Sequence, residues 1–590
     1  MSAMNDDPKS AGAKTLLVLG ASGRKHLMKA VSDWSRTVVL EVDGYLPESL
    51  RHRCAAVMTI PPLLPEQEAA EMQARTDHVL DQFLEDHASV PGLETGRSFR
   101  ASCMSIEAWR IVGPHVVCLE YARRLAGQGP WERIVVAPGA GVSLRAFRQL
   151  GESLGVPVEV LSIDREKPPL FWLLKRKWQR SRSQQRTQQT TAPTLRLNAS
   201  TQPGECWCSD PRLEGIVARS DQAERWVNGP RFADIDKNEL EQQRAAYGEW
   251  WEAWWKVWKD AHQQDDPMSD HWILEDLGRW FSRERFPRHA LLLRQAREAM
   301  KAGRPTRVLL GSMRGRQEFL WGVAAQELSI PVAVYTIDCH IEPRLCFKPD
   351  FVLCDDMRQW EVAQEKGIET SQLVRVRSHR QPRARDEKPM PSRKRRQLLL
   401  ADTYYSGIVA GSSPLLSLWA YQRVIEAARE LPEHDFVIKY HPLRERPEAT
   451  FHLSGQHHMN LWLKDEFIKS LNPPANVVFL TPEERLSDHL PNVDLLLNIQ
   501  SYAGLEAFAQ RIPVIYLQPW DEEGLYPRMN AMGVMQVAVT TNRLVELIRT
   551  NFDNLDHARQ KLAAQAGYLD WFYWQSGPDL AQAALSATRE

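Results

Sequence analysis

The chain has 590 residues, 43% of them hydrophobic, and a formal net charge of -1. That length exceeds what one hydrophobic core organises, so two domains with insertions are expected. The near-zero charge excludes a general nucleic-acid coat, and no nucleic-acid partner is expected. The eight cysteines are scattered and only Cys206 and Cys208 stand close, which excludes a disulfide framework and points to a reduced, cytosolic protein. Two ligands are half of a zinc site, so no metal is expected there.

Residues 1–14 are polar and lack the basic-then-apolar order of a signal peptide, and read as a disordered leader. No run reaches the ~20 apolar residues that cross a bilayer. The expected location is the cytosol, or the inner face of the cytoplasmic membrane as a peripheral protein.

Strand-like and helix-like segments then alternate. Residues 15–19 (TLLVL) end in Gly20-Ala21-Ser22-Gly23, and 37–42 (TVVLEV) follow a helical stretch, which is a βαβ signature. It recurs at 133–139, with a helix over about 144–154 and a strand over 156–161. A further copy runs from 308–311 through a helix over about 318–328 into 331–336. Right-handed crossovers place these strands side by side in one parallel sheet. The turn at Gly20 lacks the three spaced glycines of a dinucleotide fingerprint and the Gly-Lys-Ser/Thr ending of a triphosphate loop. Neither NAD nor ATP is read from it, and no cofactor is expected.

Residues 165–196 differ in composition. Lys175, Arg176, Lys177, Arg180, Arg182 and Arg186 stand beside Phe171, Trp172 and Trp178, and the stretch reads as the start of an insertion of about 165–300. The basic run suits either an anionic membrane surface or a solvated loop. Further on, Trp250, Trp251, Trp254, Trp255 and Trp258 recur at helical spacing, which predicts one aromatic face. Such a face is either core packing or a membrane-interface contact.

Residues 380–396, rich in Pro, Arg and Lys, form the linker. A second series follows: 397–401 (QLLLA), a helix over about 414–431, 436–442 (FVIKYHP), 476–480 (NVVFL), 494–499 (DLLLNI), a helix opened by Ser501, Gly504 and Glu506, and 513–517 (PVIYL). Both the His441-Pro442 junction and the Ser501 helix stand at strand carboxyl ends, where parallel α/β sheets bind ligands. Backbone amides at a helix start attract phosphate, which favours a ligand role for Ser501 over plain N-capping, while Glu506 also suits the helix dipole.

With FVIKYHP and DLLLNIQSYAGLEAFAQRIPVIYL in place, the chain resembles glycosyltransferases of the two-Rossmann (GT-B) type. The resemblance is greatest to bacterial capsule and lipopolysaccharide enzymes whose donor site carries a His-Pro motif and a later Ser/Thr motif. It implies an α/β fold of two Rossmann-like domains facing across a cleft: residues 14–385 for the acceptor and 396–590 for the nucleotide-sugar donor. The terminal segment is implied to include a helix returning to the first domain. The donor site would comprise His441, Pro442, Lys439, Ser501, Gly504 and Glu506, with Thr403 and Ser406 lining the same pocket. His441 and Ser501 match the phosphate-contacting residues of the family, and Glu506 matches a ribose-binding glutamate.

The catalytic base is implied to come from the first domain, where Asp338 and His340 follow the strand at 331–336. The paired-acid motif of related sialyltransferases has its nearest counterpart in Glu41-Val42-Asp43-Gly44, which departs by an inserted valine. The family's donor is commonly a CMP-activated acidic sugar such as Kdo or sialic acid, with UDP- and GDP-sugars as alternatives. The acceptor would be a surface polysaccharide, a glycolipid or a lipid-linked glycan. Two other readings stay open: transfer of an alcohol phosphate from a CDP-linked donor, and a non-catalytic polysaccharide assembly or export partner on the same scaffold.

Overall fold

The computed structural model describes residues 15–20, 26–42, 46, 48–60, 67–68, 70–72, 74–76, 78–79, 112–113, 115–138, 143–162, 205–209, 211–261, 271–311, 319–335, 349–365, 367–379, 395–403, 415–441, 467–481, 484–499, 501–519 and 527–587. The class is α/β, as expected: Rossmann-like parallel sheets covered by helices. The apolar runs become strands because a parallel strand is buried on both faces and so reads as an unbroken hydrophobic stretch.

The first half does not form one sheet. Strands β1 (Thr15–Leu19), β2 (Thr37–Glu41), β3 (Ala56–Thr59), β4 (Arg133–Ala137) and β5 (Val158–Val160) make a five-stranded sheet in the order β3-β2-β1-β4-β5. A second sheet holds β6 (Cys206–Cys208), β7 (Trp226–Asn228), β8 (Arg307–Leu310), β9 (Val332–Tyr335), β10 (Phe351–Cys354) and β11 (Leu373–Arg375), in the order β11-β10-β9-β8-β6-β7. The division arises because β6, inside the presumed insertion, takes the edge of β8 with Cys208 opposite Leu309. β8 therefore never meets β5. Both sheets nevertheless share one apolar core, in which Leu16, Val38 and Ile134 join Val308, Val334 and Val352.

Cys206 and Cys208 lie on one face of β6 because side chains alternate along a strand. Both are buried among Leu213, Leu353 and Leu580, so the close pair is core packing.

The tryptophans belong to the helix Lys237–Ala261, where Trp251, Trp255 and Trp258 are buried. Their rings stack with centroids 5.7 Å and 5.1 Å apart. The face therefore packs into the core rather than against a membrane. Gly278, on the helix His271–Trp280, makes room for it: an added Cβ would stand 2.0 Å from the Trp251 ring. Helix propensity alone favours alanine over glycine by about 1 kcal/mol. Overpacking against a fixed indole costs about 1–3 kcal/mol. Gly278→Ala should therefore lower stability in denaturant titration, and a stabilised variant would show that the stack yields.

The third sheet holds β12 (Gln397–Ala401), β13 (Asp435–Lys439), β14 (Val477–Leu480), β15 (Leu495–Asn498), β16 (Val514–Leu517) and β17 (Val537–Ala538), in the order β14-β13-β12-β15-β16-β17. After the helix Leu555–Phe572 the chain returns to the second sheet. Tyr573 bridges Asp356, and the helix Leu580–Ser586 buries Leu580, Ala581, Ala583 and Ala584 against Phe351 and Leu353. The Arg375 guanidinium lies 5.1 Å from the rings of both Trp360 and Trp574, which meet edge to face.

Candidate functional site at the switch point of the third sheet

The chain leaves β12 for β13 on one side and later returns to β15 on the other, so the strand order reverses between β12 and β15. In open α/β sheets the crevice outside the carboxyl ends of such a pair is the ligand position. Four strands deliver polar residues to this edge.

From β12 come Asp402 and Thr403, both buried. Asp402 accepts hydrogen bonds from Tyr421 Oη at 2.6 Å, Thr403 N at 2.9 Å and Ser417 Oγ, and its own amide donates to Lys439 O at 3.0 Å. Its carboxyl thus ties the β12 end to the helix Leu415–Glu430 and positions Thr403. Lys439 ends β13 and is buried, with Nζ donating to Tyr440 O at 2.5 Å. His441 follows, half-buried.

From β15 comes Asn498, whose Nδ2 donates to Ser501 O at 2.9 Å. Ser501 Oγ accepts from Ala503 N at 3.2 Å, and Gly504 N donates to Ser501 O at 3.2 Å. The serine thus organises the turn into the helix Ala503–Ala509. Gly504 has a packing reason as well, because a Cβ there would meet Tyr516 Oη at 2.7 Å and Asn498 Nδ2 at 2.9 Å. Glu506 lies on the exposed side of the helix, yet the protein atoms crowding its carboxyl raise its pKa by desolvation.

Two groups at this edge have unmet hydrogen-bonding capacity. Asn498 Oδ1 and Gln518 Nε2 are buried and have no partner among the described residues. Asn498 stands opposite Tyr516 in the β15–β16 register, and Gln518 lies two residues beyond Tyr516, on the same face. An orphaned buried polar atom costs about 1–3 kcal/mol, so such a pair at a ligand edge is a cost that a polar ligand can relieve.

Lys439, His441, Thr403, Ser501, Gly504 and Glu506 all belong to this carboxyl edge or the helix that follows it. Pro442, Ser406, Asp338 and His340 lie outside the described residues. Asp402, Asn498 and Gln518 were missed by sequence reasoning, though each is a polar residue closing or following an apolar strand, which is the local signal of a carboxyl edge. Glu41 is buried, paired with Arg51, and accepts from Leu46 N at 2.6 Å, so its carboxyl is engaged within the first sheet. Among the described residues no group of three or more His, Cys, Asp or Glu side chains could hold a metal, and no helix is long and apolar enough to cross a membrane.

The third sheet is thus a doubly wound α/β unit with polar residues at the carboxyl edge of its switch point. No family model matches the chain, and no curated protein matches it. Among similar solved structures, UDP-GlcNAc 2-epimerase from Neisseria meningitidis, bound to UDP-GlcNAc, is 13% identical over 51% of this chain and 89% of its own, with a TM-score of 0.31. HepE of Anabaena, in complex with UDP and glucose, is 10% identical over 78% and 92%, with a TM-score of 0.31. UDP-GlcNAc 2-epimerase from Methanocaldococcus jannaschii is 13% identical over 45% and 75%, with a TM-score of 0.30. Similarity at this level carries no argument about what this chain binds or does.

Proposed function

We propose that the protein is a GT-B glycosyltransferase that binds a nucleotide-activated sugar at the carboxyl edge of the third sheet. The observation that carries this reading is that Thr403, Lys439 and Ser501, with Asn498 Oδ1 and Gln518 Nε2 that have no partner among the described residues, stand on strand ends around one switch point. His441 and Ser501 face the donor phosphate in this reading, and the buried Lys439 adds positive charge beside it. These groups stabilise the charge that grows on the phosphate as the sugar departs. The donor favoured by the His441-Pro442 motif is a CMP-activated acidic sugar such as Kdo or sialic acid, whose single phosphate such groups can meet without a metal. The acceptor is proposed to be a surface polysaccharide or a lipid-linked glycan, bound by the first 385 residues, which are also proposed to supply the base; Asp338 and His340, following β9 in sequence, are the candidates that the resemblance offers.

A thermal-shift screen of CMP, CDP, UDP and GDP tests the reading. Ligand binding to the native state stabilises it by about 2.7 kcal/mol at ~100-fold excess over Kd. CMP is expected to give the largest shift, and the shift should persist in EDTA. A response to none of the four would favour a non-catalytic scaffold. A response that needs magnesium or manganese would redirect the reading to a diphosphate-linked donor.

A further inference from the structure

A second cluster of titratable groups lies at the carboxyl edge of the second sheet. Tyr335 ends β9, Asp355 follows β10, and Ser378 and His379 follow β11, so three neighbouring strands bring them together. Asp355 is wholly buried. Its Oδ1 accepts from Gln359 Nε2 at 2.9 Å, and its Oδ2 accepts from Ser378 Oγ at 3.0 Å and lies 3.6 Å from His379 Nδ1. Tyr335, also buried, places Oη 3.3 Å from the same nitrogen, with its ring edge-on to the imidazole at 5.4 Å. The His379 side chain keeps 34% of its surface exposed.

The returning C-terminal segment holds this cluster in place. Ser378 N donates to Trp574 O at 3.1 Å, Arg377 N donates to Pro578 O at 2.9 Å, and Asp356 bridges Tyr573. Among the described residues, Asp355 and Tyr335 are titratable groups set against the imidazole. Asp356 and Arg377 lie beside them in sequence, and the Arg375 guanidinium lies against the rings of Trp360 and Trp574.

Gln359 and Ser378 already occupy both oxygens of Asp355, so the carboxyl does not need the histidine for its hydrogen bonding. What the arrangement does is fix one edge of an imidazole whose side chain remains partly accessible. A separation of 3.6 Å is too long for a hydrogen bond, and such contacts in a ligand-free site commonly tighten when substrate binds.

We propose that His379 is the general base of the transfer, oriented through Nδ1 by Tyr335 and Asp355. This rests on the glycosyl-transfer reading above. The ring edge away from Nδ1 takes the proton of an acceptor hydroxyl while the acceptor oxygen forms its bond to the sugar carbon. The bond from that carbon to the phosphate oxygen breaks, and the nucleotide leaves with its electron pair. The proton ends on His379, and the imidazolium faces the Asp355 carboxylate.

The test uses the full chain with CMP-Kdo, CMP-sialic acid, UDP-glucose and GDP-mannose as donor probes, followed by nucleotide release, and thermal shift with the free nucleotides. General-base removal costs about 100-fold or more in turnover. His379→Gln, at a partly exposed position, should show that loss while keeping the wild-type melting temperature and nucleotide-induced shift. Wild-type turnover should fall as pH drops and the base is protonated, and this limb should vanish in His379→Gln. An active wild type with an unaltered His379→Gln turnover and pH profile overturns the proposal, as does a loss confined to Asp338→Asn or His340→Gln. A wild type that neither binds a nucleotide nor releases one from any donor overturns the functional reading instead.

Discussion

His441→Ala and Ser501→Ala should each lower turnover by about 10- to 1000-fold, because each removes a hydrogen bond that strengthens as charge develops on the departing phosphate. The two should differ in their side effects. His441 lies two residues beyond the end of β13 and is half-buried, so its truncation leaves the strand intact and the melting temperature near that of the wild type. Ser501 Oγ also accepts from Ala503 N, so its loss costs about 0.5–1.5 kcal/mol of turn stability in addition to the catalytic effect. Both variants should weaken the thermal shift given by the cognate nucleotide. Wild-type turnover in both, measured with the donor that the screen identifies, would sink the assignment of the site.

Acidification should destabilise the part of the chain built on the first two sheets. His115 lies edge-on to Trp272 at 5.1 Å, with Nδ1 2.8 Å from Ser143 Oγ. Burial first, and then the nearby Arg145, lower its pKa from 6.5 to about 4. His289 is held well below its ordinary value for the same leading reason, with Arg285 and Arg288 adding to it. For a histidine whose folded pKa is lowered, the unfolded chain binds the extra proton. Stability is therefore full above about 6.5 and is lost as the pH falls towards about 4. For His115 the loss is about 2–3 kcal/mol, reduced from the full shift because part of the residue remains accessible to water. Unfolding free energies at pH 7 and pH 4.5 should differ less in His115→Gln than in the wild type. An identical difference in the two proteins would show that carboxylates elsewhere carry the acid response.

The same histidine illustrates how the parts are joined. Arg145, next to Ala146 on the helix Leu144–Leu154, pairs with Asp276 at 2.7 Å and with Glu275, and its guanidinium lies 5.6 Å from the Trp272 ring. Such contacts tie the first sheet to the helices before β8. Their residues lie about 130 positions apart, and no local pattern announces them.

What was legible in the sequence was many of the longer elements, each taken singly. TLLVL, QLLLA and VIYL read as strands because strands buried on both faces need continuous apolar side chains. The helices Leu144–Leu154 and Leu415–Glu430 read as the segments between successive strands of an alternating series. The carboxyl-edge position of His441 and Ser501 was equally readable, since a strand followed by a turn states its own direction.

Tertiary structure alone decided partnership. The three-residue strand Cys206–Cys208 is too short to carry a pattern, yet by taking the edge of β8 it separates the second sheet from the first. The tryptophan face read first as core packing with a membrane contact as the alternative, and Gly278 together with the neighbouring helices placed it in the core. Asp355 and His379 stand 24 positions apart in the sequence and meet only because β10 and β11 are adjacent. The physical reason is common to all three. Local propensity and periodicity depend on neighbours in sequence, whereas sheet membership, burial of an amphipathic face and the assembly of a polar cluster depend on contacts between segments that the chain brings together only on folding.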